Sequence, residues 1–187
     1  LPFKILEDFP EVDIDNCYKY FGNAIVYDAR FKRVLFTKRD AKLKEEWRGL
    51  VEYRGDFFYD TINKKNILPT NENYFCNKSF TISYSPLTKS FVSFHSFTPN
   101  YYTPNQNYFS SGINFSTTED PSENGVWNHG LTNKSFQVYY GKLYPYIVEY
   151  SLASKAQNKV LNNVESITEF RRFQDNLSSA MHYDKFF

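Results

Sequence analysis

The sequence predicts a mainly β fold built from antiparallel hairpins, β-propeller-like or a partial propeller or sandwich, with one short helix near residues 41–51. The first observation is aromatic content: 20% of the 187 residues, with 19 Phe and 16 Tyr against two Trp. Phe and Tyr favour strands and interfaces, and a Tyr ring can be buried while its hydroxyl stays wet. The second is the scarcity of helix-forming apolar residues, including a single Met at position 181, which argues against a helix bundle. The third is a strand-turn-strand pattern that occurs twice. Ile25, Tyr27, Lys32, Val34 and Leu35 occupy the offsets taken later by Ile82, Tyr84, Lys89, Phe91 and Val92. In each copy an aromatic-rich strand meets a short polar turn, then a second β-rich strand, as a hairpin requires. Units of this kind cannot bury their faces alone and suit a repeated assembly such as propeller blades. The copies lie 57 positions apart, long for one blade.

The elements follow in order. Residues 1–22 are acidic and aromatic, and read as an irregular entry segment. Residues 23–167 read as one mainly β domain and 168–187 as a C-terminal extension. The first hairpin is expected at 23–28 and 33–38. Leu43, Trp47, Leu50 and Val51 fall at i, i+4, i+7 and i+8, one apolar stripe of a short helix that Gly49 weakens. Residues 55–78 read as Asn- and Lys-rich loops. The second hairpin is expected at 79–84 and 90–97. Pro and Asn density makes 99–107 a loop, and 116–125 is a second polar loop. Strand signals resume at 125–129 and 135–140. They continue, after a turn at 141–145, at 146–152 and around 159–167. The expected core is Ile25, Tyr27, Val34, Phe36, Ile82, Tyr84, Phe91, Trp127, Phe136, Val138, Ile147 and Val148, with alternation leaving the register of each strand open.

Charge and cysteine usage bound the function classes. A formal net charge of +1 predicts neither a nucleic-acid footprint nor an acidic tail. Cys17 and Cys76 can form one disulfide in an oxidising compartment, but free thiols are the favoured reading. No apolar run reaches the length of a membrane span, and no signal peptide precedes Leu1. The chain opens Leu1-Pro2 without Met, which reads as a processed product or a piece of a longer protein.

Catalytic chemistry finds little support. His95, His129 and His182 are isolated in sequence, with no spacing that predicts metal ligation, and bonding within strands or turns is the simpler account. Alternation places His95 on the face opposite Phe94. No Gly-x-Ser-x-Gly elbow and no Gly-rich phosphate loop occurs. Paired carboxylates for glycoside hydrolysis would have to come from loop acids such as Glu119, Asp120 and Glu123, which are usually solvated. Tyr101, Tyr102 and Tyr108 on the Asn-rich loop form a candidate carbohydrate platform or, with more weight, contact edges for neighbouring strands or subunits. Arg30, Lys32 and Arg33, interleaved with Phe31, can face a phosphate backbone, although a solvated hairpin tip is favoured.

Residues 80–102, followed by Trp127-Asn128-His129 and Tyr139-Tyr140-Gly141, resemble tail structural proteins of short-tailed, crAss-like bacteriophages, the stabilisation, nozzle or muzzle proteins. Residues 26–40, 145–149 and 159–164 agree with the same resemblance, which spans most of 23–167. It implies a β-propeller-like scaffold with no active site, copies of which assemble into a ring of the distal tail tube. The implied partners are other copies of itself and other phage tail proteins, with DNA passing through the assembly. The implied location is the virion tail, after synthesis in the bacterial host cytoplasm. No cofactor, metal or turnover is expected. Tyr101, Tyr102, Tyr108, Arg30, Lys32 and Arg33 are the expected interaction residues. A carbohydrate-binding receptor-contact module and a glycan-degrading enzyme remain as rivals.

Overall fold

The computed structural model describes residues 2–15, 20–115, 125–130 and 138–144, and the backbone of 171–174 and 177–180. The chain forms two compact units, Leu1–Tyr144 and Pro145–Phe187. Within the first, the strands in chain order are β1 (Gly22–Asp28), β2 (Arg33–Arg39), β3 (Ala41–Leu43), β4 (Val51–Tyr53), β5 (Phe58–Asp60), β6 (Lys65–Ile67) and β7 (Phe75–Asn77). Then come β8 (Phe80–Ser85), β9 (Ser90–His95), β10 (Tyr102–Pro104), β11 (Phe109–Ser111), β12 (Trp127–His129), β13 (Val138–Tyr139) and β14 (Lys142–Leu143). They pair as β1-β2-β8-β9, β3-β7, β4-β5-β6, β10-β11-β12 and β13-β14, every ladder antiparallel. In the second unit β15 (Arg171–Gln174) pairs antiparallel with β16 (Leu177–Ala180). The fold is therefore mainly β and antiparallel, as the sequence predicts, and no closed barrel or propeller is detected among the described residues.

Both predicted hairpins form, and they are neighbours: β2 of the first pairs with β8 of the second. Their turns share one geometry. The Asp28 side chain accepts from Phe31 N and the Ser85 hydroxyl from Thr88 N, while Lys32 and Lys89 close the turns at φ 51° and 53°. A third copy joins β5 to β6, where Asp60 accepts from Asn63 N and Lys64 closes the turn at φ 52°. The shared sequence is Tyr, then Asp or Ser, three free positions, then Lys: Tyr27 to Lys32, Tyr59 to Lys64, Tyr84 to Lys89. A side-chain oxygen that caps its own turn is the reason Asp and Ser recur there.

Two expectations are corrected. No helix spans 41–51. Ala41–Leu43 pairs with β7, Lys44 is extended at ψ 144°, and only a 3₁₀ turn at Glu45–Trp47 remains. Four apolar residues are too few to hold a helix in water, whereas pairing with β7 places Leu43 in a core beside Phe75. Residues 55–78 are not only loops, since β5, β6 and β7 are three-residue strands within them. The strands expected at 146–152 and 159–167, and most of the 116–125 loop, lie outside the described residues.

Among the described residues the first unit has two cores. One gathers Phe3, Ile5, Phe9 and Val12 from the entry segment with Phe21, Leu43, Val51, Phe58, Ile67, Tyr74 and Phe75. Phe58 is its hub, in ring contact with Phe9, Phe21, Tyr53 and Phe75. The entry segment is held by Asp40, wholly buried, which accepts from Lys4 N at 2.8 Å, Ile5 N at 3.1 Å and Lys38 Nζ at 2.7 Å. The other core gathers Val26, Leu35, Phe97, Phe109 and Tyr140 beneath the four-stranded sheet.

That sheet buries the face opposite to the expected one. Val26, Leu35, Thr37, Thr81 and Ser83 are buried, while Ile25, Tyr27 and Phe91 are exposed and Val34, Phe36, Ile82 and Tyr84 are half-buried. Trp127 and Val138 are also half-buried, and Phe136, Ile147 and Val148 lie outside the described residues. Polar residues fill the inner face because they satisfy one another. Thr37 shares hydrogen bonds with Thr81 (2.6 Å) and the Tyr102 hydroxyl (2.5 Å), Thr81 donates to Phe97 O, and Ser83 bonds Ser93.

Candidate functional site

The four-stranded sheet presents an aromatic outer face. Register aligns Ile25, Phe36, Ile82 and Phe94 in one row across the strands, and Tyr27, Val34, Tyr84 and Phe91 in the next. Phe91 and Phe94 are three apart and would face opposite ways in a regular strand. A bulge between Ser83 and Tyr84, with Val92 as the extra residue, turns both to the outer side. Ile25, Tyr27, Phe91 and Phe94 remain 64%, 51%, 68% and 74% exposed. The rings support each other: Phe80 lies 6.1 Å from Phe36 and 6.4 Å from Phe94, and Tyr84 lies 5.5 Å from Phe91. At one end the face is covered. Lys38, in line with Phe80, donates to Pro2 O and sits over the Phe3 ring at 4.6 Å. From Phe36 to the hairpin turns nothing described covers it. A contiguous apolar surface of this kind on a folded chain marks a contact site.

The expected interaction residues scatter. Tyr102 is half-buried and faces inward, its ring against Phe109 and its hydroxyl on Thr37, and burial first of all pushes its hydroxyl up to about 12. Tyr101 is also half-buried, lying so close over Gly112 that a Cβ there would meet its ring at 2.2 Å. Tyr108 alone of the three is exposed. The three do not form an open platform, since two of them pack inward within segment 99–115, where β10 replaces part of the loop expected at 99–107. Arg33 pairs with buried Asp28 at 3.0 Å, and Arg30 donates to Gly130 O at 2.6 Å. Both guanidiniums stand over the Phe31 ring, and Lys32 occupies the left-handed corner of the turn. Two of these three cations are therefore committed to contacts within the fold.

Behind the sheet lies a pairing that sequence spacing hides. Ser111 Oγ meets His129 Nε2 at 2.6 Å, and the Tyr140 hydroxyl bonds Ser111 and Gly112 O. His129 stacks on Phe109 at 4.4 Å. Ser111 is wholly buried and His129 nearly so, which leaves no path for a substrate to the hydroxyl. The arrangement is a buried hydrogen-bond cluster. Burial lowers His129 to about 3, with further lowering by His95 and Arg33. Burial likewise lowers His95 to about 4, and Arg33 adds to this while Asp28 opposes it. His95 sits on the face opposite Phe94 and meets Ser93 Oγ and the Phe97 ring, as the strand alternation predicts. Cys76 is an exposed free thiol, and Cys17 and His182 lie outside the described residues. Among the described residues no group of three His, Cys, Asp or Glu side chains is placed to hold a metal, and no helix is long and apolar enough to cross a membrane.

An open cleft of about 430 Å³ adjoins the outer face and shares Phe80 and Phe94 with it. Asn77, His95, Asn114 and Lys142 line it, with Glu72 as its one carboxylate. A glycoside hydrolase of the usual kind needs two facing carboxylates. Glu119, Asp120 and Glu123 lie outside the described residues. No family model, no curated protein and no solved structure matches the chain.

Proposed function

We propose that the chain is a structural component of a phage virion tail, a subunit of the tail tube or nozzle ring, working through contacts with other protein chains rather than through turnover. The observation that carries this is the uncovered aromatic face of the four-stranded sheet, which a free-standing soluble domain would bury or make polar. The resemblance of residues 80–102 and 127–141 to crAss-like tail proteins supplies the setting. The test is location. The gene should lie among portal and tail genes, and antibody raised against the chain should label the tails of purified particles. Particles that lack the chain would remove the tail assignment.

The cleft beside Phe80 and Phe94 favours a second reading, a carbohydrate-contact module, because a ring flanked by amide side chains suits a sugar face. Glycan-array binding that is lost on Asn114→Ala would support it, and a blank array would remove it.

A further inference from the structure

We infer that the outer face of the four-stranded sheet is the contact between two copies of this chain, packed sheet on sheet about a two-fold axis. The inference rests on the reading of a protein that works through subunit contacts; a two-fold contact closes a pair, so a ring would need a second, different surface.

Three observations select a second copy over other occupants. The first is charge. The two aligned rows, Ile25, Phe36, Ile82, Phe94 and Tyr27, Val34, Tyr84, Phe91, contain no ionisable group other than two tyrosine hydroxyls. A two-fold contact sets the face against its own copy, so a charged face would meet like charge. This one meets none. A nucleic acid or an acidic lipid surface would need free cations here, but Lys38 at the closed end is bonded to Asp40 and Pro2 O, and Arg30 and Arg33 bond inward at the turns.

The second is shape. The face is one side of a four-stranded antiparallel sheet whose other side already covers a core. Sheets with such a face pack against another sheet at a separation of about 10 Å, with side chains of the two inner faces interleaved. The second copy supplies an identical sheet. Edge pairing through β9 is a poorer alternative, because that strand is interrupted by its bulge at Val92.

The third is area. Four side chains exposed by half or more, with the partly exposed rings beside them, offer on the order of 600 to 800 Å² per copy, close to one side of a standard-size protein interface. The face ends where Lys38 is roofed by Pro2 and Phe3, which sets a border on the contact. Tyr27 and Tyr84 lie in the row nearer the hairpin turns, where their hydroxyls can reach water at the rim.

The test is sedimentation velocity of the full chain between about 1 and 100 μM, the range in which a micromolar pair dissociates. The wild type should move from monomer to a discrete pair. Ile25→Lys on β1 and Phe94→Lys on β9 should each weaken pairing by at least about tenfold, since an unpaired ammonium would be buried twice per contact. Both side chains are exposed in the single chain, so circular dichroism melts at the lowest concentration should match the wild type. If one variant fails to fold, the other, on a different strand, carries the test. A wild type that stays monomeric at 100 μM overturns the inference. So does association that both lysine variants leave unchanged, which would place the contact elsewhere. A pair that forms and is lost in the variants, from a chain absent from phage tails, would keep this inference and remove the tail reading. Tail labelling by a chain that never pairs would do the reverse.

Discussion

The two faces of one sheet contrast sharply. On the inner face of β1-β2-β8-β9 the buried residues include Val26, Leu35, Thr37, Thr81 and Ser83. On the outer face the large apolar residues Ile25, Tyr27, Phe91 and Phe94 stand more than half exposed. The more hydrophobic side is the one left open. Burial within a single chain is therefore decided by what each face finds to pack against, and a face too apolar for water points to a partner outside the chain.

The largest effect should come from the closed end of the outer face. Asp40→Ala leaves the Lys38 ammonium buried without its carboxylate and frees Lys4 N and Ile5 N. The expected cost is about 3–5 kcal/mol in a urea titration, and the entry segment should lift from Phe58. Leu35→Ala on the inner face should cost about 2–5 kcal/mol in the same titration. Phe94→Ala on the outer face, measured on dilute monomer, should cost less than about 0.5 kcal/mol although it deletes the larger side chain. Equal costs would erase the contrast between the faces. Thr37→Val keeps the shape but removes the Thr37 bonds to the Tyr102 and Thr81 hydroxyls, of which Thr81 keeps its bond to Phe97 O, at a cost of about 1–3 kcal/mol.

Acid should act from the inner side. Folded His95 and His129 are held neutral, with values near 4 and 3, while the unfolded chain takes up protons near 6.5. Stability is therefore full above pH 6.5 and falls as pH drops toward 4 and below, because the unfolded state binds the extra protons. Asp60 adds a later loss. Burial raises its carboxyl, but bonds from the Asn63 side chain and backbone, the Tyr74 hydroxyl and Ile62 N outweigh it and hold it near 2, so its contribution fades below 3.8. Melting temperature from pH 7 to 4 should fall, and His95→Gln should flatten that fall across the range, since His95 contributes from 6.5 down to about 4. The smallest effect is Tyr27→Ser, which should leave the monomer within about 0.5 kcal/mol of the wild type.

The hairpins were legible because their signal is local. Tyr27 to Lys32 and Tyr84 to Lys89 each fix a turn from within, and the third copy from Tyr59 to Lys64 carries the same residues inside a stretch that read as loop. The choice of face was not legible. Alternation shows two sets of side chains but not which set finds cover, and the apolar set was the natural choice for the core. The bulge at Val92 was hidden for the same reason, since register depends on the partner strand. Nothing in the sequence marks Asp28, Asp40 and Asp60 as buried acids, because their donors lie up to 36 residues away. Pro and Asn density signals a loop over 99–107, but Tyr102–Pro104 forms strand β10 there, and its pairing with β11 turns the Tyr102 ring against Phe109.

The most direct measurement is hydroxyl-radical footprinting of the wild-type chain over a dilution series, read residue by residue by mass spectrometry. The account predicts that Tyr27, Phe91 and Phe94 are oxidised readily in dilute solution and become protected as concentration rises. Phe58, Phe75 and Phe97 should stay protected throughout. Oxidation of Phe91 and Phe94 that does not change with concentration would contradict the account, because the outer face would then be open in every state of the protein.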